Sequence, residues 1–326
     1  MTLDLARHPC FIDQVRHRFG RVHLPIAPKC NVQCNFCDRR HDCVNESRPG
    51  VTSRVLSPGQ ALYYLHEVVQ RQSNLTVVGI AGPGDPFANA AETMEMLRLV
   101  RQSYPDMLLC VASNGLEVAP HVEELARLEV SHVTITVNAV DPEIGAKIYG
   151  WVRHKKRVLR GIPAAEVLWA AQRESIQQLK QAGVTVKINT IIIPGVNDAH
   201  VPEIAETVAG LGADICNCIG IYPVEGTPFA DIVPPDATQV AAIRDSAGQH
   251  VPLMHHCTRC RADAVGLLGE PMPVEILDRL EVAATLPLRP HESRPFVAVA
   301  SQEGALVNQH LGEARHLLVY RLAAEG

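Results

Sequence analysis

The sequence predicts an α/β protein whose main domain is a partial, TIM-like (βα)6 barrel. Three observations lead there. At 326 residues with 47% apolar and 20% charged side chains, the chain is long enough to bury a large core. Short β-branched apolar runs alternate with longer amphipathic stretches through most of its length. The runs at 76–81 and 187–193 are nearly continuous in apolar residues, as parallel strands covered on both faces require.

In chain order, strands are expected at residues 21–27, 75–81, 107–113, 132–138, 184–193 and 214–221, each a β-branched run bounded by turn residues. Helical periodicity places helices at 58–70, 90–102, 120–128, 164–182 and 201–211. Residues 1–20 read as an N-terminal extension and 21–270 as the barrel. The proline-bearing stretch 271–293 reads as a linker, and 294–326 as the start of a second, truncated domain with a strand at 294–301, a short helical pattern and a last strand at 317–320. In a barrel of this kind, chemistry collects on the loops after the carboxyl ends of the strands.

Composition excludes several classes of function. The 30 Lys and Arg against 35 Asp and Glu, a formal charge of −5, argue against a chain built to grip nucleic acid. No apolar window approaches membrane-spanning length, and the first residues lack the basic and apolar regions of a secretory signal, so the expected location is the cytoplasm. There, ten cysteines point to metal, cluster or catalytic duty rather than disulfides.

The most specific string is Cys30-Asn-Val-Gln-Cys34-Asn-Phe-Cys37, just after the first strand. Three thiolates at this spacing can hold one 4Fe-4S cubane and leave its fourth iron open to substrate or cofactor. A zinc knuckle is the competing reading, but structural zinc usually takes four ligands in paired spacing. The string, its position and the βα repeat resemble the radical SAM superfamily. The resemblance implies that S-adenosylmethionine chelates the open iron and is cleaved to a 5′-deoxyadenosyl radical. It places Phe36 beside the adenine. Gly84 and Asp85 of the turn Ala81-Gly-Pro-Gly-Asp-Pro86 fall near the methionine amino group, where the superfamily usually has glutamate. Ser113, Asn114, Thr136, Asn138 and Ile188, at the ends of strands three to five, are carried over as further cofactor neighbours. For Thr136 and Ile188 the alternative is ordinary strand packing.

Seven cysteines remain beyond the triad. Cys216 and Cys218 alternate on one strand and read as buried, inert thiols. Five are left: Cys10, Cys43, Cys110, Cys257 and Cys260. Two further cubanes with three protein ligands each need a sixth donor, and an imidazole suits iron. Within the superfamily, His8-Pro-Cys10, Glu46-Ser-Arg-Pro49, Thr134–Pro142 and Cys257-Thr-Arg-Cys-Arg-Ala-Asp-Ala264 resemble the nitrogenase cofactor maturases. That likeness implies fusion of two 4Fe-4S clusters into an eight-iron, carbide-containing precursor, with S-adenosylmethionine as both carbon donor and radical source. Our working assignment gives His23, Cys43 and Cys110 to one substrate cluster and Cys10, Cys257 and Cys260 to the other, with His8, His17, His41, His255 and His256 as further imidazole candidates and other pairings of the cysteines open. Glu46 and Arg48 become catalytic candidates, with Glu46 as proton acceptor and a surface ion pair as the plain alternative. A cluster donor, a reductant protein and a carrier or scaffold for the product are the implied partners. The tail from Arg294 resembles the opening of a NifX-like carrier domain. The basic run 153–157 is either a solvated loop or an attractor of anionic cargo. A radical SAM enzyme with several clusters acting on an organic substrate is the rival reading.

Overall fold

The computed structural model of the protein describes residues 3–48, 50–287, 296–302 and 307–321. Residues 1–285 and 286–326 form separate units. The first contains the strands β1 (Gly20–His23), β2 (Val32–Cys34), β3 (Leu75–Ile80), β4 (Leu108–Ser113), β5 (Val130–Thr136), β6 (Tyr149–His154), β7 (Arg157–Leu159), β8 (Thr185–Ile192), β9 (Ile215–Gly220) and β10 (Val265–Gly266). Its helices are α1 (Pro58–Arg71), α2 (Ala90–Ser103), α3 (Val122–Arg127), α4 (Pro142–Ile148), α5 (Gly161–Gln181), α6 (Val201–Gly210), α7 (Ala237–Ala247) and α8 (Val274–Thr285).

The main sheet runs β10-β1-β3-β4-β5-β8-β9. Six strands are parallel, and β10 adds antiparallel to β1. The edge strands β10 and β9 do not pair with each other, so the ring is incomplete, as expected. All six predicted strands are present; five are shorter than expected, and β5 keeps its length but starts two residues earlier.

Period-two alternation decides what each strand presents to the inside. On β8, Val186 and Ile188 enter the apolar core with Ile135 and Val133, while Lys187 and Asn189 line the interior cavity. α1 shows how the helices are seated: Ser57 and Gln60 form a reciprocal capping box, Pro58 opens the first turn, and Ala61, Tyr64, Leu65 and Val68 bury one face.

One sequence expectation is corrected here and another is given its local structure. Residues 274–285 are α8 rather than linker: Ile276, Leu280 and Ala283 are buried at helical spacing, and α8 packs on α1. The prolines at 271 and 273 precede the helix instead of preventing it. The basic run 153–157 is the tip of a β6–β7 hairpin, with His154 paired to Arg157 and Lys155 and Lys156 at φ 47° and 65°. That hairpin pairs with β2 in a separate three-stranded sheet.

In the second unit, β11 (Phe296–Val299) and β12 (Leu318–Arg321) pair antiparallel. The short helical pattern expected between them is, among the described residues, one 3-10 turn at Leu311–Glu313. Pro49, residues 288–295, where the proposed linker meets the tail strand, and 303–306 lie outside the described residues.

Candidate functional site

Cys30, Cys34 and Cys37 follow β1 on a loop, the end of β2 and the tight turn after it. The Cys37 N–H donates to the Cys34 carbonyl at 3.0 Å, and the Gln33 side-chain amide donates to the Cys37 carbonyl at 2.6 Å. The glycine-rich turn lies against this loop. Gly84 N–H donates to the Ala27 carbonyl at 2.6 Å and Asp85 N–H to the Lys29 carbonyl at 2.8 Å. A Cβ on Gly84 would sit 2.2 Å from the Lys29 oxygen, so the chain's own backbone contact accounts for this glycine.

Asp85 is buried and already engaged. One carboxylate oxygen accepts the Phe87 and Ala88 N–H groups at 2.9 and 3.2 Å, and the other accepts Ser113 Oγ at 3.0 Å and Asn114 N–H at 2.6 Å. It acts as a strut between the glycine turn and the end of β4. Asn114 continues the chain of contacts: its Nδ2 donates to Asn31 Oδ1 at 2.7 Å and lies 3.8 Å from Cys30 Sγ.

Four expected cofactor neighbours lie on the strand ends. Thr136 Oγ1 donates to Glu46 Oε1 at 3.4 Å, and Asn138 Oδ1 accepts the Ile191 N–H at 2.8 Å. Ser113 and Asn114 close the glycine turn as described. Two further residues are buried in apolar clusters. Ile188 points into the apolar core, on the face of β8 opposite Lys187 and Asn189, so strand packing explains it. Phe36 is fully buried in a second apolar cluster with Cys34, Cys37, Val44, Ile191 and Ile193.

The remaining ligand candidates meet inside the barrel. Cys10, His23, Cys110, Cys257 and Cys260 line one cavity of about 70 Å³, together with Glu46 and Lys187. The five ligand candidates come from the N-terminal extension, β1, β4 and the segment before β10. That segment is fastened to its neighbours. His256 Nε2 meets the Pro9 carbonyl at 3.2 Å, and buried Asp42 accepts the Ala262 N–H at 3.2 Å and Ser53 Oγ at 2.8 Å. Arg261 grips Asp263 through two bonds of 2.6 and 2.7 Å. The Arg-Ala-Asp string thus holds the CxxC segment against the barrel. Cys43 lies outside the cavity lining, beside the triad and Glu46. Cys216 and Cys218 are buried in the core, their sulfurs 3.7 Å apart.

His23 is presented in the form a metal ligand needs. Its Nδ1 faces the Arg261 carbonyl at 3.2 Å. A carbonyl only accepts, so Nδ1 carries the proton and Nε2 keeps its lone pair. Burial, then the charge of Arg21, holds the imidazole down at about 3, neutral at physiological pH. The ring is seated by Gly79, where a Cβ would stand 2.7 Å from Cδ2.

The thiols share one electrostatic problem. Burial and then Cys260 push Cys10 up to about 12, and burial does the same to Cys110. Cys30 is raised to about 12 by burial and then Asp85. Cys34 is raised by burial and by Cys37, Cys43 and Cys30. Thiolates crowded together out of water are costly unless cationic iron neutralises them. Among the described residues no three His, Cys, Asp or Glu groups converge as a single chelated ion requires. A cubane asks something else: each thiolate meets its own iron.

Glu46 is half-buried in the cavity wall, and its Oε1 accepts Asn189 Nδ2 at 2.7 Å in addition to Thr136. Burial raises its pKa, against the pull of Lys187. Arg48 does not pair with it: Arg48 is exposed and donates through Nε to the Arg259 carbonyl at 3.1 Å. Lys187 is a site residue that the sequence reading left out. It is buried among Glu46, Cys257, Cys10 and Cys110. Burial opposes its charge, but those groups outweigh burial and hold the ammonium protonated. The available signal was a lysine on the inward register of an otherwise apolar strand.

Residues 24–208 match the radical SAM superfamily. Over 325 residues the chain is 58% identical to the FeMo cofactor biosynthesis protein NifB of Chlorobaculum tepidum, covering 100% of this chain and 77% of that protein. The chain belongs to the NifB family. The NifB of Klebsiella pneumoniae is 42% identical over 344 residues, covering 98% of this chain and 74% of its own length. Among solved structures, Streptococcus suis SuiB bound to S-adenosylmethionine shares the fold with a TM-score of 0.53 at 14% identity. The match covers 74% of this chain, which spans only 52% of SuiB.

Membership of the superfamily implies a 4Fe-4S cluster and S-adenosylmethionine, and the residues present fit both. Three desolvated thiols adjoin one another on the loop after β1, and the buried Nδ2 of Asn31 beside them has no hydrogen-bond partner among the described residues. No helix among the described residues is long and apolar enough to cross a membrane.

Proposed function

We propose that this radical SAM enzyme acts in FeMo-cofactor biosynthesis, joining two 4Fe-4S substrate clusters into an eight-iron precursor around a carbide. The observation that carries the reading is the convergence of Cys10, His23, Cys110, Cys257 and Cys260 on one cavity with Glu46 and Lys187. Five soft or imidazole donors in one chamber exceed what a single auxiliary cluster needs, which favours cluster cargo over the organic-substrate rival.

In this reading Cys30, Cys34 and Cys37 hold the radical cluster, on which bound S-adenosylmethionine supplies both a methyl carbon and a 5′-deoxyadenosyl radical. His23, Cys43 and Cys110 hold one substrate cluster, and Cys10, Cys257 and Cys260 the other. Lys187 offsets the negative charge of the cargo. Glu46, its carboxyl made more basic by burial and steadied by Asn189 and Thr136, accepts protons released from the carbon as it is stripped of hydrogen. The second apolar cluster, which includes Cys34, Phe36 and Cys37, keeps water away from the radical cluster. A cluster donor, a reductant and a carrier for the product are the partners this chemistry demands, in the cytoplasm.

The test is anaerobic turnover with S-adenosylmethionine labelled in its methyl carbon. The reading expects 5′-deoxyadenosine together with label retained in an iron–sulfur product. Label released wholly as a methylated organic molecule, with none in the cluster fraction, rejects it in favour of the organic-substrate rival.

A further inference from the structure

Beside the cysteine cavity lies a second, larger one, a groove of about 550 Å³ that is open to solvent and also lined by Cys257 and Thr258. Its walls carry Arg48, Arg244 and Arg259 together with Tyr222 and Pro235. Each guanidinium is aimed by one bond to a backbone carbonyl. Arg48 Nε donates to Arg259 at 3.1 Å, Arg244 Nε to Cys218 at 2.8 Å, and Arg259 Nη2 to Gly220. Arg259 also lies over the Tyr222 ring, 4.6 Å from its centroid. None of the three forms an ion pair among the described residues, although the chain carries a net charge of −5.

Arg259, only 8% exposed, has no carboxylate within ion-pair distance among the described residues, and a buried guanidinium so placed is costly for a protein unless an anion visits it. The backbone adds a second observation. Arg259 lies at φ +49°, a left-handed conformation unusual for a side chain of this size, inside the Cys257–Cys260 loop that separates groove from chamber. Planar guanidinium groups also suit large, diffuse anions better than a compact ammonium does.

We propose that this arginine-lined groove is the port through which anionic iron–sulfur clusters pass between solvent and the cysteine chamber. The proposal rests on the proposed function and adds the route taken by its substrates. Arg244 on α7 and Arg48 draw the cargo into the groove. Arg259 and the loop it shares with Cys257 and Cys260 form the last step before the ligands.

The test measures the rate at which the full-length, cluster-free chain takes up iron and sulfide from a synthetic 4Fe-4S cubane with small thiolate ligands. Wild type, R48Q/R244Q and R48K/R244K are compared at low and high salt. The double glutamine variant is expected to load at least ~10-fold more slowly at low salt, as lost electrostatic steering predicts. It should approach wild type at high salt, reach the same final iron count, and be rescued by the lysine pair. Equal rates and equal salt slopes overturn the port. So does slowing seen only with a protein-bound donor, which would make the patch a docking surface for that protein. If wild type itself stops at about four irons, the functional reading fails instead.

Discussion

His23 and Arg261 face each other across the barrel interior, imidazole Nδ1 to backbone carbonyl, 3.2 Å apart. Such outer partners orient metal-bound imidazoles and fix their tautomer. The bond also ties β1 to the CxxC segment, so one contact sets both the ligand and the wall beside it. Replacing His23 by Ala should lower the iron content of the reconstituted chain and alter its electron paramagnetic resonance. The Cys30–Cys34–Cys37 signal should persist. Unchanged signals and iron count remove His23 from the ligand set.

Gly79→Ala probes the same imidazole without touching it chemically. The added methyl would stand 2.7 Å from His23 Cδ2, so the ring must turn away from its present position. We expect the spectroscopic change of the His23 variant in milder form, with a stability loss of about 1–3 kcal/mol from overpacking. A variant with wild-type spectra and stability would show that the ring is not held as described.

Glu46→Gln keeps the shape and the Asn189 contact but removes the base. Cluster loading and 5′-deoxyadenosine formation should survive, while carbide-containing product falls at least ~10²-fold, the usual scale for a lost general base. Full product formation by the variant dismisses the role.

Acid sensitivity of the cluster-free chain follows from its buried imidazoles. Burial, before any charge partner, holds His132 down at about 3 and His8 well below the usual histidine value, as it does His23. The unfolded chain binds protons on these groups below about pH 6.5 and the folded chain does not, so stability falls as pH drops from there toward 3. Each group contributes a slope approaching ~1.4 kcal/mol per pH unit. His132→Asn should flatten the pH dependence of the urea midpoint between pH 6 and 5. An unchanged slope contradicts burial of a neutral ring.

The basic hairpin tip gives a prediction of the opposite kind. Lys155 and Lys156 both occupy left-handed backbone in a two-residue turn, where Asn-Gly is preferred. K155N/K156G should raise stability by about 0.5–1 kcal/mol and leave cluster uptake unaltered. Slower uptake would identify this run as an attractor of cargo.

Much of this architecture was legible in the chain. β-branched runs marked all six parallel strands, because strands buried on both faces leave little choice of residue. The triad was legible because its spacing has few other uses. Other features were hidden by their chemistry. α8 carries prolines just before it, which read as linker until the helix is seen buried on α1. Ile188 and Lys187 are adjacent in sequence, and only the register of β8 decides which of them meets the chamber. Asp85 looked like a ligand contact, yet it caps the turn that follows it through Phe87 and Ala88, and Ser113 and Asn114, which no local pattern reveals, engage its other oxygen. The arginine groove joins residues some two hundred positions apart and exists only once the barrel forms.

The most direct test of the account is the iron count of the anaerobically reconstituted full chain, taken beside that of a variant lacking Cys10, Cys110 and Cys257. The account predicts about twelve irons in the first and about four in the second, held by Cys30, Cys34 and Cys37. About four irons in both would contradict it, because the thiols lining the inner cavity would then hold no cluster.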